Sequence, residues 1–401
     1  MNLTTIRESF PGLAGRVFLD SAAVSLMPVQ ARDALVRLAD AMVGCPSRDA
    51  SAHHIRLDLT ADIPRREAAR LINAKPENIA LVESTTQGLQ AVAAAVPLQR
   101  GDNILIADTE FLGLAVPWIP RRAAEGFEIR VVPTRSGRVL VDDFAAAADA
   151  RTRMILLSTV QWSSGFRADL AAFCEFASSR GIVLVADAIQ QLGAVDLDVS
   201  ATPVDFLVTG GHKWLLSPVG RGFLYVSDRM LERAGPGSFG YLNIRQPAEG
   251  WVSYFGNPTT PAVRDYEFVS DARRFESGGT ANYPGNAALG AALELINTLG
   301  PGACRDRIFS LTDRLLHGLK SAGAMVISPP EHRHRSGIVS FSLGRGHAAD
   351  KAFLKTALDR RIVISQRYTA GVGGLRASVH FFNNEEEMDA LAALVAEAMR
   401  G

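Results

Sequence analysis

The sequence has few cysteines and no excess of either charge. Its 401 residues include Cys45, Cys174 and Cys304, which lie too far apart for the close pairs of a zinc ribbon or a redox motif. Lys plus Arg number 42, and so do Asp plus Glu, so no long-range attraction to nucleic acid or to an acidic membrane surface is expected. The composition favours a protein of a reducing compartment whose partner is small and neutral or zwitterionic.

Signals for export, membrane insertion and metal binding are also missing. The start, MNLTTIRESFPGLAG, has neither a positive opening nor an apolar run, and no apolar stretch is long enough to cross a bilayer. We therefore expect a cytoplasmic protein. The histidine pairs at 53–54 and 332/334 lack carboxylate or thiol partners at a plausible spacing, so no metal site is predicted. With 47% hydrophobic residues, the chain can bury a large core and is expected to form about two domains.

Short apolar runs alternate with helical patterns between about residues 75 and 230. Runs this apolar are typical of strands that are covered on both faces. They are NIALV, NILIA, IRVVP, MILLS, IVLVAD, DFLVTG and GFLYV, and patterns such as TQGLQAVAAAV and DLAAFCEFASSRG predict the covering helices. The alternation predicts an α/β protein with a mainly parallel sheet, which binds its ligand beyond the carboxyl ends of the strands.

The periodicity stops from about Gly235 to Ala281. This segment is rich in Gly, Pro and aromatic residues and is predicted to form long loops at an interface or over a site. After it, NAALGAALELINTLG is typical of a helix, and the remainder predicts a smaller α+β domain. We assign residues 1–12 to an N-terminal segment, 13–285 to a large ligand-binding domain and 286–401 to a small C-terminal domain.

Polar residues follow several of the predicted strands. Thr85, Thr86 and Gln87 come after IALV at the start of a helix, where hydroxyls and free backbone N–H groups would stabilise a phosphate. Taken alone, this segment could simply cap the helix. Asp187 follows IVLVA, at a position that a loop-anchoring carboxylate could also take.

Lys213 follows DFLVTGGH, in the connection between two predicted buried strands. Taken alone, it could be a surface lysine. A desolvated lysine at such a strand end, however, has a lowered pKa and exposes a nucleophilic amine that can form a Schiff base. A phosphate cradle, an acid that keeps a pyridine nitrogen protonated and an amine that forms an imine are the three parts needed to hold pyridoxal phosphate (PLP). Their combination predicts PLP as the cofactor, and the flanking glycines would let the backbone pass close to its ring.

The chain resembles the fold-type I, class V aminotransferase group of PLP enzymes, which includes cysteine desulfurases, selenocysteine lyases, kynureninases and isopenicillin N epimerase-like proteins. The resemblance implies the PLP-dependent transferase fold type I, with a mainly parallel seven-stranded sheet in the large domain, and a homodimer with shared active sites. It rests on motifs that occur in order along nearly the whole chain: FLDSAAVSLMP, ESTTQGLQAVA, DTEFLGLAVPW, STVQWSSGFRADL, VADAIQQLGAVDLDV, GGHKWLLSPVGRGFLYV, RRFESGGTANYPGNAALGAALE and LRASVHFFNNEEEMDAL.

The resemblance also implies roles for individual residues. Lys213 would bind the cofactor as an internal aldimine, Asp187 would lie under the pyridinium nitrogen, and Gln190 would lie near the ring hydroxyl. Thr280 would reach the phosphate of a second subunit, and Arg376 would grip the substrate α-carboxylate with its planar fork; a surface charge at a strand edge is the alternative for Arg376. The full cofactor-binding set is Thr85, Thr86, Gln87, Phe111, Trp162, Asp187, Gln190, Thr209, His212, Lys213 and Thr280, and the substrate-binding set is Arg376 and Ala23.

Several positions depart from the family pattern. Gly210 stands where the family often has a phosphate-binding serine, and Thr209 is expected to compensate. Leu112 takes the place of the ring-stacking histidine of desulfurases, with Phe111 as the nearest aromatic residue. Trp162 stands where desulfurases tend to carry asparagine, although it could also be a core aromatic. ISQRYTAGVGGLR contains no cysteine where a desulfurase needs a thiol that accepts sulfur.

These residues predict an enzyme that acts at the α-carbon of an amino acid through an external aldimine, with Lys213 as the base. Transamination is narrowly favoured over its alternatives, β-elimination by a C–S lyase and epimerisation, and persulfide-forming desulfurase chemistry is not expected. From another class of function, a non-catalytic PLP-binding regulator would need a helix-turn-helix domain, for which the chain has no spare length. A structural dimer with a degenerate site is left open by Gly210 and Leu112, although the set of Lys213, Asp187 and Arg376 argues against it.

Overall fold

The computed structural model describes residues 5–400; residues 1–4 and 401, at the outer ends of the predicted first and last segments, lie outside the described residues. The strands in chain order are β1 (Val17–Phe18), β2 (Ile79–Val82), β3 (Asn103–Ala107), β4 (Glu128–Val132), β5 (Thr152–Ser158), β6 (Val183–Asp187), β7 (Phe206–Gly210), β8 (Gly222–Val226), β9 (Met325–Val326), β10 (Ile338–Ser342), β11 (Ile362–Val363), β12 (Ser365–Thr369) and β13 (Val372–Ser378).

Helices cover the strands on both sides, and short 3₁₀ turns join some of them. The α-helices are α1 (Val29–Gly44), α2 (Ala50–Asp58), α3 (Asp62–Leu71), α4 (Thr85–Ala95), α5 (Leu112–Ala115), α6 (Ile119–Glu125), α7 (Val141–Ala147), α8 (Leu170–Ser179), α9 (Asp228–Arg233), α10 (Gly250–Gly256), α11 (Tyr283–Leu299), α12 (Pro301–Ser321), α13 (His347–Asp359) and α14 (Glu385–Arg400). In residues 5–400, none of them combines the length and the apolar character that crossing a bilayer requires.

The large sheet contains all seven strands that the apolar runs predict, in the order β2-β8-β7-β6-β5-β3-β4. Its pairs are parallel except those of β8, which runs antiparallel to both β2 and β7. The connection between β7 and β8, residues 211–221, is shorter than the crossover that a parallel pair needs, so the chain must turn back. The predicted α/β fold with a mainly parallel seven-stranded sheet is confirmed, and Lys213 lies in this short return.

Side-chain alternation decides which residues meet at the end of the sheet. Val185 of β6 and Val208 of β7 belong to the core cluster that includes Leu89 of α4. Their neighbours within the two strands, such as Ala186 and Leu207, belong to the core cluster on the other side of the sheet. Because successive side chains in a strand point to opposite faces, Asp187 and Gly210 share the face of Val185 and Val208. The carboxyl ends of β6 and β7 therefore present these two residues on the same side as α4.

A separate four-stranded sheet, β12-β13-β10-β9, is antiparallel, and we call this sheet and the helices packed on it the small domain. One face of this sheet, with Leu375 and Ala377, packs into a core with α12, α13 and α14. The N-terminal part of the chain joins this domain, because β1 pairs in parallel with β11 and Asp20 bridges to Ser378. The boundaries at residues 12 and 285 stay a prediction; α11, which begins near the second of them, packs against α1 and α3.

The segment from Gly235 to Ala281 is mostly irregular, but the prediction of loops throughout it was wrong at one place. Residues Gly250–Gly256 form α10. Trp251 stacks on Phe255 with ring centroids 5.5 Å apart and meets Tyr254 edge-on at 5.6 Å. This helix is therefore stabilised by contacts between aromatic rings within one short segment. Such contacts need no apolar periodicity, so the sequence pattern did not indicate the helix.

Candidate active site

Lys213 and Asp187 lie at the same edge of the large sheet. Asp187 ends β6 and pairs with Val208 of β7, the strand after which Lys213 follows. Burial lowers the pKa of Lys213 to about 8, although the Asp187 charge acts against this shift. Burial raises the pKa of Asp187 to about 6, opposed by the N–H of Ile189, which donates to Asp187 Oδ1 at 2.9 Å. At neutral pH the acid is therefore mostly ionised, and about a tenth of the amine is neutral, far more than for an ordinary lysine.

The first turn of α4 borders a small space beside Gly210. Ser84 caps this helix by accepting a hydrogen bond from Gln87 N at 3.1 Å, and Thr85 follows it. Thr85 Oγ1 is buried and has no hydrogen-bond partner among the described residues. A Cβ placed on Gly210 would lie 3.1 Å from Thr85 Oγ1 and 3.3 Å from His212 Cε1. A buried hydroxyl without a partner, next to the N–H groups of a helix start, fits a bound phosphate.

Three further residues of the predicted cofactor-binding set take different positions around this helix start. His212 is half-buried, and its pKa is lowered by burial and then by the Lys213 charge, which favours the neutral imidazole. Gln87 accepts a hydrogen bond from Glu83 N at 3.3 Å and so helps to cap α4. Thr86 is exposed on the same turn.

Thr209 does not replace the phosphate contact that is missing at position 210. Its side chain is fully buried, and its hydroxyl donates to Gly210 O at 3.2 Å. Because side chains alternate along β7, Thr209 faces the core cluster opposite α4, while Gly210 faces Thr85. The expected compensation is therefore corrected: the orphaned hydroxyl at this space belongs to Thr85.

Gln190 is held rigidly behind Asp187. Its amide nitrogen donates to Ala22 O at 3.1 Å, and its amide oxygen accepts from Trp214 Nε1 at 2.9 Å. One amide hydrogen is left for a further acceptor, so its contact to the ring hydroxyl stays a prediction. Ala23 lies in the turn next to Ala22, where its N–H donates to Asp20 O at 3.0 Å.

Two aromatic rings, those of Phe111 and Trp162, lie beside the site. Phe111 and Trp162 meet edge-on, with centroids 5.5 Å apart and planes at 74°. Trp162 is half-buried and donates through Nε1 to Thr109 O at 3.2 Å, so it is not simply a core residue. Leu112 is 65% exposed and begins α5. Phe111 and Trp162 are thus two aromatic side chains beside the site, and which of them stacks on the cofactor stays a prediction.

Arg376 reaches the site from the small domain. It is 1% exposed, so the alternative of a surface charge at a strand edge is wrong. Its Nη1 donates to Trp162 O at 2.9 Å and its Nη2 to Asp20 Oδ1 at 3.1 Å, while its Nε has no partner among the described residues. Ser365 donates to the same Asp20 oxygen at 2.9 Å. Burial lowers the pKa of Arg376 to about 10, which still leaves the guanidinium charged at neutral pH and able to bind a carboxylate.

Thr280 is exposed and makes no side-chain hydrogen bond among the described residues. The neighbouring residues Gly278, Gly279 and Ala281 line a separate cavity of about 780 Å³, together with Arg65 and Arg221. No contact in residues 5–400 joins Thr280 to Lys213. Its role across the interface of a homodimer therefore stays a prediction.

The sequence analysis missed three charged residues that the fold brings to the site. Glu110, three residues after β3, is half-buried and accepts hydrogen bonds from Ser158 N at 2.8 Å, Gln161 Nε2 at 3.0 Å and Ser158 Oγ. Burial raises its pKa to about 7. Asp20 pairs with Arg376, and the charge of Arg367 acts on Lys213. A carboxylate soon after a buried strand was a usable signal for Glu110, whereas no local pattern marks Arg367.

Together these groups fit PLP. The orphaned Thr85 hydroxyl and the start of α4 suit its phosphate, Asp187 suits a protonated ring nitrogen, and the Lys213 amine suits its aldehyde. Arg376 adds a buried cation for a substrate carboxylate on the same edge. Such a set can bind an amino acid, orient it and move a proton at its α-carbon.

Comparisons with known proteins agree with this geometry. A family model described as Aminotransferase class-V matches residues 17–391. Isopenicillin N epimerase of Streptomyces clavuligerus is 32% identical over 82% of this chain and 82% of its own length, and a cysteine desulfurase of Cronobacter sakazakii is 30% identical over 98% and 97%. Among solved structures, a C-DES mutant with glycine covalently linked to its PLP cofactor has a TM-score of 0.87 at 24% identity, covering 98% of this chain and 99% of that one.

Proposed function

The chain belongs to the class-V aminotransferase family and is a PLP-dependent enzyme of aminotransferase or lyase type, and from this premise we propose that it transaminates an amino acid at its α-carbon. The observation that carries the proposal is the half-buried Lys213 after the end of β7, next to Asp187 of β6, with the pKa of its amine lowered by desolvation to about 8. In transamination a single such group would take the proton from the α-carbon and deliver it to the neighbouring cofactor carbon on the same side, so no second proton donor is needed.

Different residues of the chain would hold the cofactor, orient the substrate and move the proton. When bound, PLP supplies a cationic ring into which the electrons left at the α-carbon can spread. Thr85 and the start of α4 would hold its phosphate, and Asp187 would hold the proton on its ring nitrogen. Arg376 would orient the substrate by its carboxylate, and Lys213 Nζ would carry the α-proton.

The positions of the cysteines support the exclusion of persulfide chemistry from this proposal. Cys174 lies in α8 and Cys304 in α12, both are buried, and burial raises the pKa of each thiol to about 12. Cys45 follows α1 on the surface. None of these elements carries a residue of the Lys213 site, whereas sulfur transfer needs a thiolate beside the substrate.

Epimerisation is the second candidate, and the identity of 32% to isopenicillin N epimerase favours it. It needs a second proton donor on the opposite side of the α-carbon. We also propose that the enzyme is a homodimer in which Thr280 completes the site of the second subunit, since the exposed position of Thr280 leaves it free to do so.

Product analysis tests the proposed reaction. The purified protein with PLP is mixed with single L- and D-amino acids, and the cofactor absorption, keto acid and isomer ratio are followed. Conversion of the cofactor to pyridoxamine phosphate with one equivalent of keto acid supports transamination. Inversion of the isomer supports epimerisation, and pyruvate or sulfide with unchanged PLP supports elimination. A protein that stays colourless with added PLP contradicts the proposal as a whole.

A further inference from the structure

Two arginines share one face of the small-domain sheet. In the antiparallel pair of β12 and β13, Ser365 lies opposite Arg376, and Arg367 lies opposite Gly374. Opposed residues of an antiparallel pair point to the same side, and so do residues two apart along a strand. Arg367 and Arg376 therefore point to the same side as Ser365, opposite to the apolar face with Leu375.

This polar face of the small-domain sheet is directed toward the Lys213 site. Arg376 donates to Trp162 O in the large domain, and it meets Ser365 at the carboxylate of Asp20. The charges of both Arg367 and Arg376 lower the pKa of Lys213, so both guanidiniums lie within electrostatic range of its amine. Arg367 is thus a second cation at the site.

The two arginines differ in their partners. Arg376 has Asp20 as a counter-ion at 3.1 Å. Arg367 is half-buried and donates through Nη1 to Gln366 O at 2.9 Å, and no carboxylate among residues 5–400 forms an ion pair with it. A half-buried guanidinium without a counter-ion keeps donor groups free for an anion that arrives with a ligand.

Other polar atoms of this face also lack partners. Ser340 lies opposite Arg376 on β10, and its hydroxyl is buried without a hydrogen-bond partner among the described residues. The same holds for the hydroxyl of Ser378 and for Arg376 Nε. Buried polar groups are usually satisfied, so a face with three such atoms is typical of a ligand-binding surface.

We propose that Arg367 binds a second anionic group of the substrate, so that the preferred substrate is an amino acid whose side chain ends in a carboxylate. This inference rests on the proposed function. Arg376 takes the α-carboxylate, and Arg367 takes the side-chain carboxylate through the fork of its guanidinium, which matches a planar carboxylate. Arg367 is then a residue that determines specificity, while Lys213 and Asp187 serve any amino acid.

Spectral titration of the protein loaded with PLP tests this inference. Aspartate, glutamate and 2-aminoadipate are each titrated against changes in the cofactor absorption, with asparagine, glutamine and alanine as uncharged comparisons. We expect at least one acidic ligand to bind about tenfold or more tightly than its amide. Arg367→Gln should weaken acidic ligands by about 10- to 100-fold and leave the amides unchanged, since a charge-assisted pair is removed. Arg367→Lys, which keeps the charge without the fork, should fall between the two.

A matched control is Arg345→Gln on the same domain, because exposed Arg345 also lacks a carboxylate partner in residues 5–400 and donates to backbone carbonyls. It should change no affinity. Three results would overturn the inference. In the first, the wild type binds acids and amides equally well. In the second, both Arg367 variants lose the same affinity for all ligands, and in the third, a coloured protein responds to no ligand. Failure of the proposed function is seen separately, as a wild-type protein that takes up no PLP. Thermal midpoints of all variants show whether each one folds.

Discussion

Lys213 and Asp187 come from neighbouring strands of one sheet, whereas Arg376 reaches them from the other domain. We call Thr85, Asp187, Gly210 and Lys213 the cofactor half, and Asp20, Ser365, Arg367 and Arg376 the substrate half. The cofactor half follows from the order of strands within a single sheet. The substrate half exists only because the N-terminal segment, the Trp162 loop and the β12–β13 pair are brought together.

The difference predicts how the two halves respond to substitution. In the cofactor half, buried groups with shifted pKa values serve the chemical step. In the substrate half, Asp20 pairs with the Arg376 guanidinium that a substrate carboxylate would use, and Arg367 has no counter-ion among the described residues. Changes in the first half should lower the rate, and changes in the second should alter binding and stability.

Lys213→Ala should have the largest effect. Loss of the amine removes the base, and a positioned base contributes on the order of 10²–10⁴-fold to the rate. The variant should lose the absorption band of the wild type while it keeps its fold, as judged by circular dichroism. Lys355→Ala, which removes an exposed lysine, is the control and should change neither. A variant with the wild-type rate would show that Lys213 is not the base.

Asp20→Asn should destabilise the protein without substrate. The substitution keeps an oxygen for Ser365 and Arg376 but removes the counter-ion of a guanidinium that is 1% exposed. Breaking a buried ion pair costs about 3–5 kcal/mol, so the free energy of unfolding should fall by about that amount.

A bound substrate carboxylate should restore part of this loss. The thermal midpoint of Asp20→Asn should therefore rise more on addition of an amino acid that shifts the cofactor band than the midpoint of the wild type does. Asp33→Asn, at an exposed ion pair, is the control. Equal increases of the thermal midpoint in the wild type and in Asp20→Asn would show that Asp20 does not pair with the group that binds the substrate carboxylate.

Glu110→Gln should change the pH dependence of stability. The pKa of Glu110 is raised to about 7, above its ordinary value, so the folded state binds this proton more tightly than the unfolded state. Its contribution is fully present below the ordinary pKa and is lost as the pH rises through 7. Between pH 5 and pH 8, the wild type should lose about 2–3 kcal/mol relative to the variant in urea unfolding.

The control for this titration is Glu175→Gln, at an exposed position in α8. It should follow the wild type at every pH. If Glu110→Gln also follows the wild type, the proton held by Glu110 plays no part in the stability of this strand end.

Phe111→Leu should have the smallest effect. If Phe111 contacts the cofactor ring, loss of the aromatic contact weakens PLP binding by about 1 kcal/mol, or about fivefold. The measurement is a titration of cofactor-free protein with PLP, with Trp162→Leu in parallel and Leu112→Ala as the control. A loss confined to Trp162→Leu would assign the stacking role to that residue instead.

The seven strands of the large sheet could be read from the sequence because each is a short apolar run between helical patterns. Lys213 and Asp187 followed from the same reading, since residues after buried parallel strands must meet at one edge. The Thr209 prediction failed for a related reason. Neighbours in a strand point to opposite faces, so adjacency in sequence placed Thr209 on the wrong side of the sheet from Thr85.

By itself, the sequence determined where the strands lie and which side chains end them, because burial on both faces imposes a local apolar pattern. Only the tertiary structure decided that Asp20 pairs with Arg376, that Glu110 accepts hydrogen bonds from Ser158, and that the charge of Arg367 acts on Lys213 without a counter-ion in residues 5–400. These relations join residues that are distant along the chain, and their energies depend on burial and distance, which no local pattern encodes.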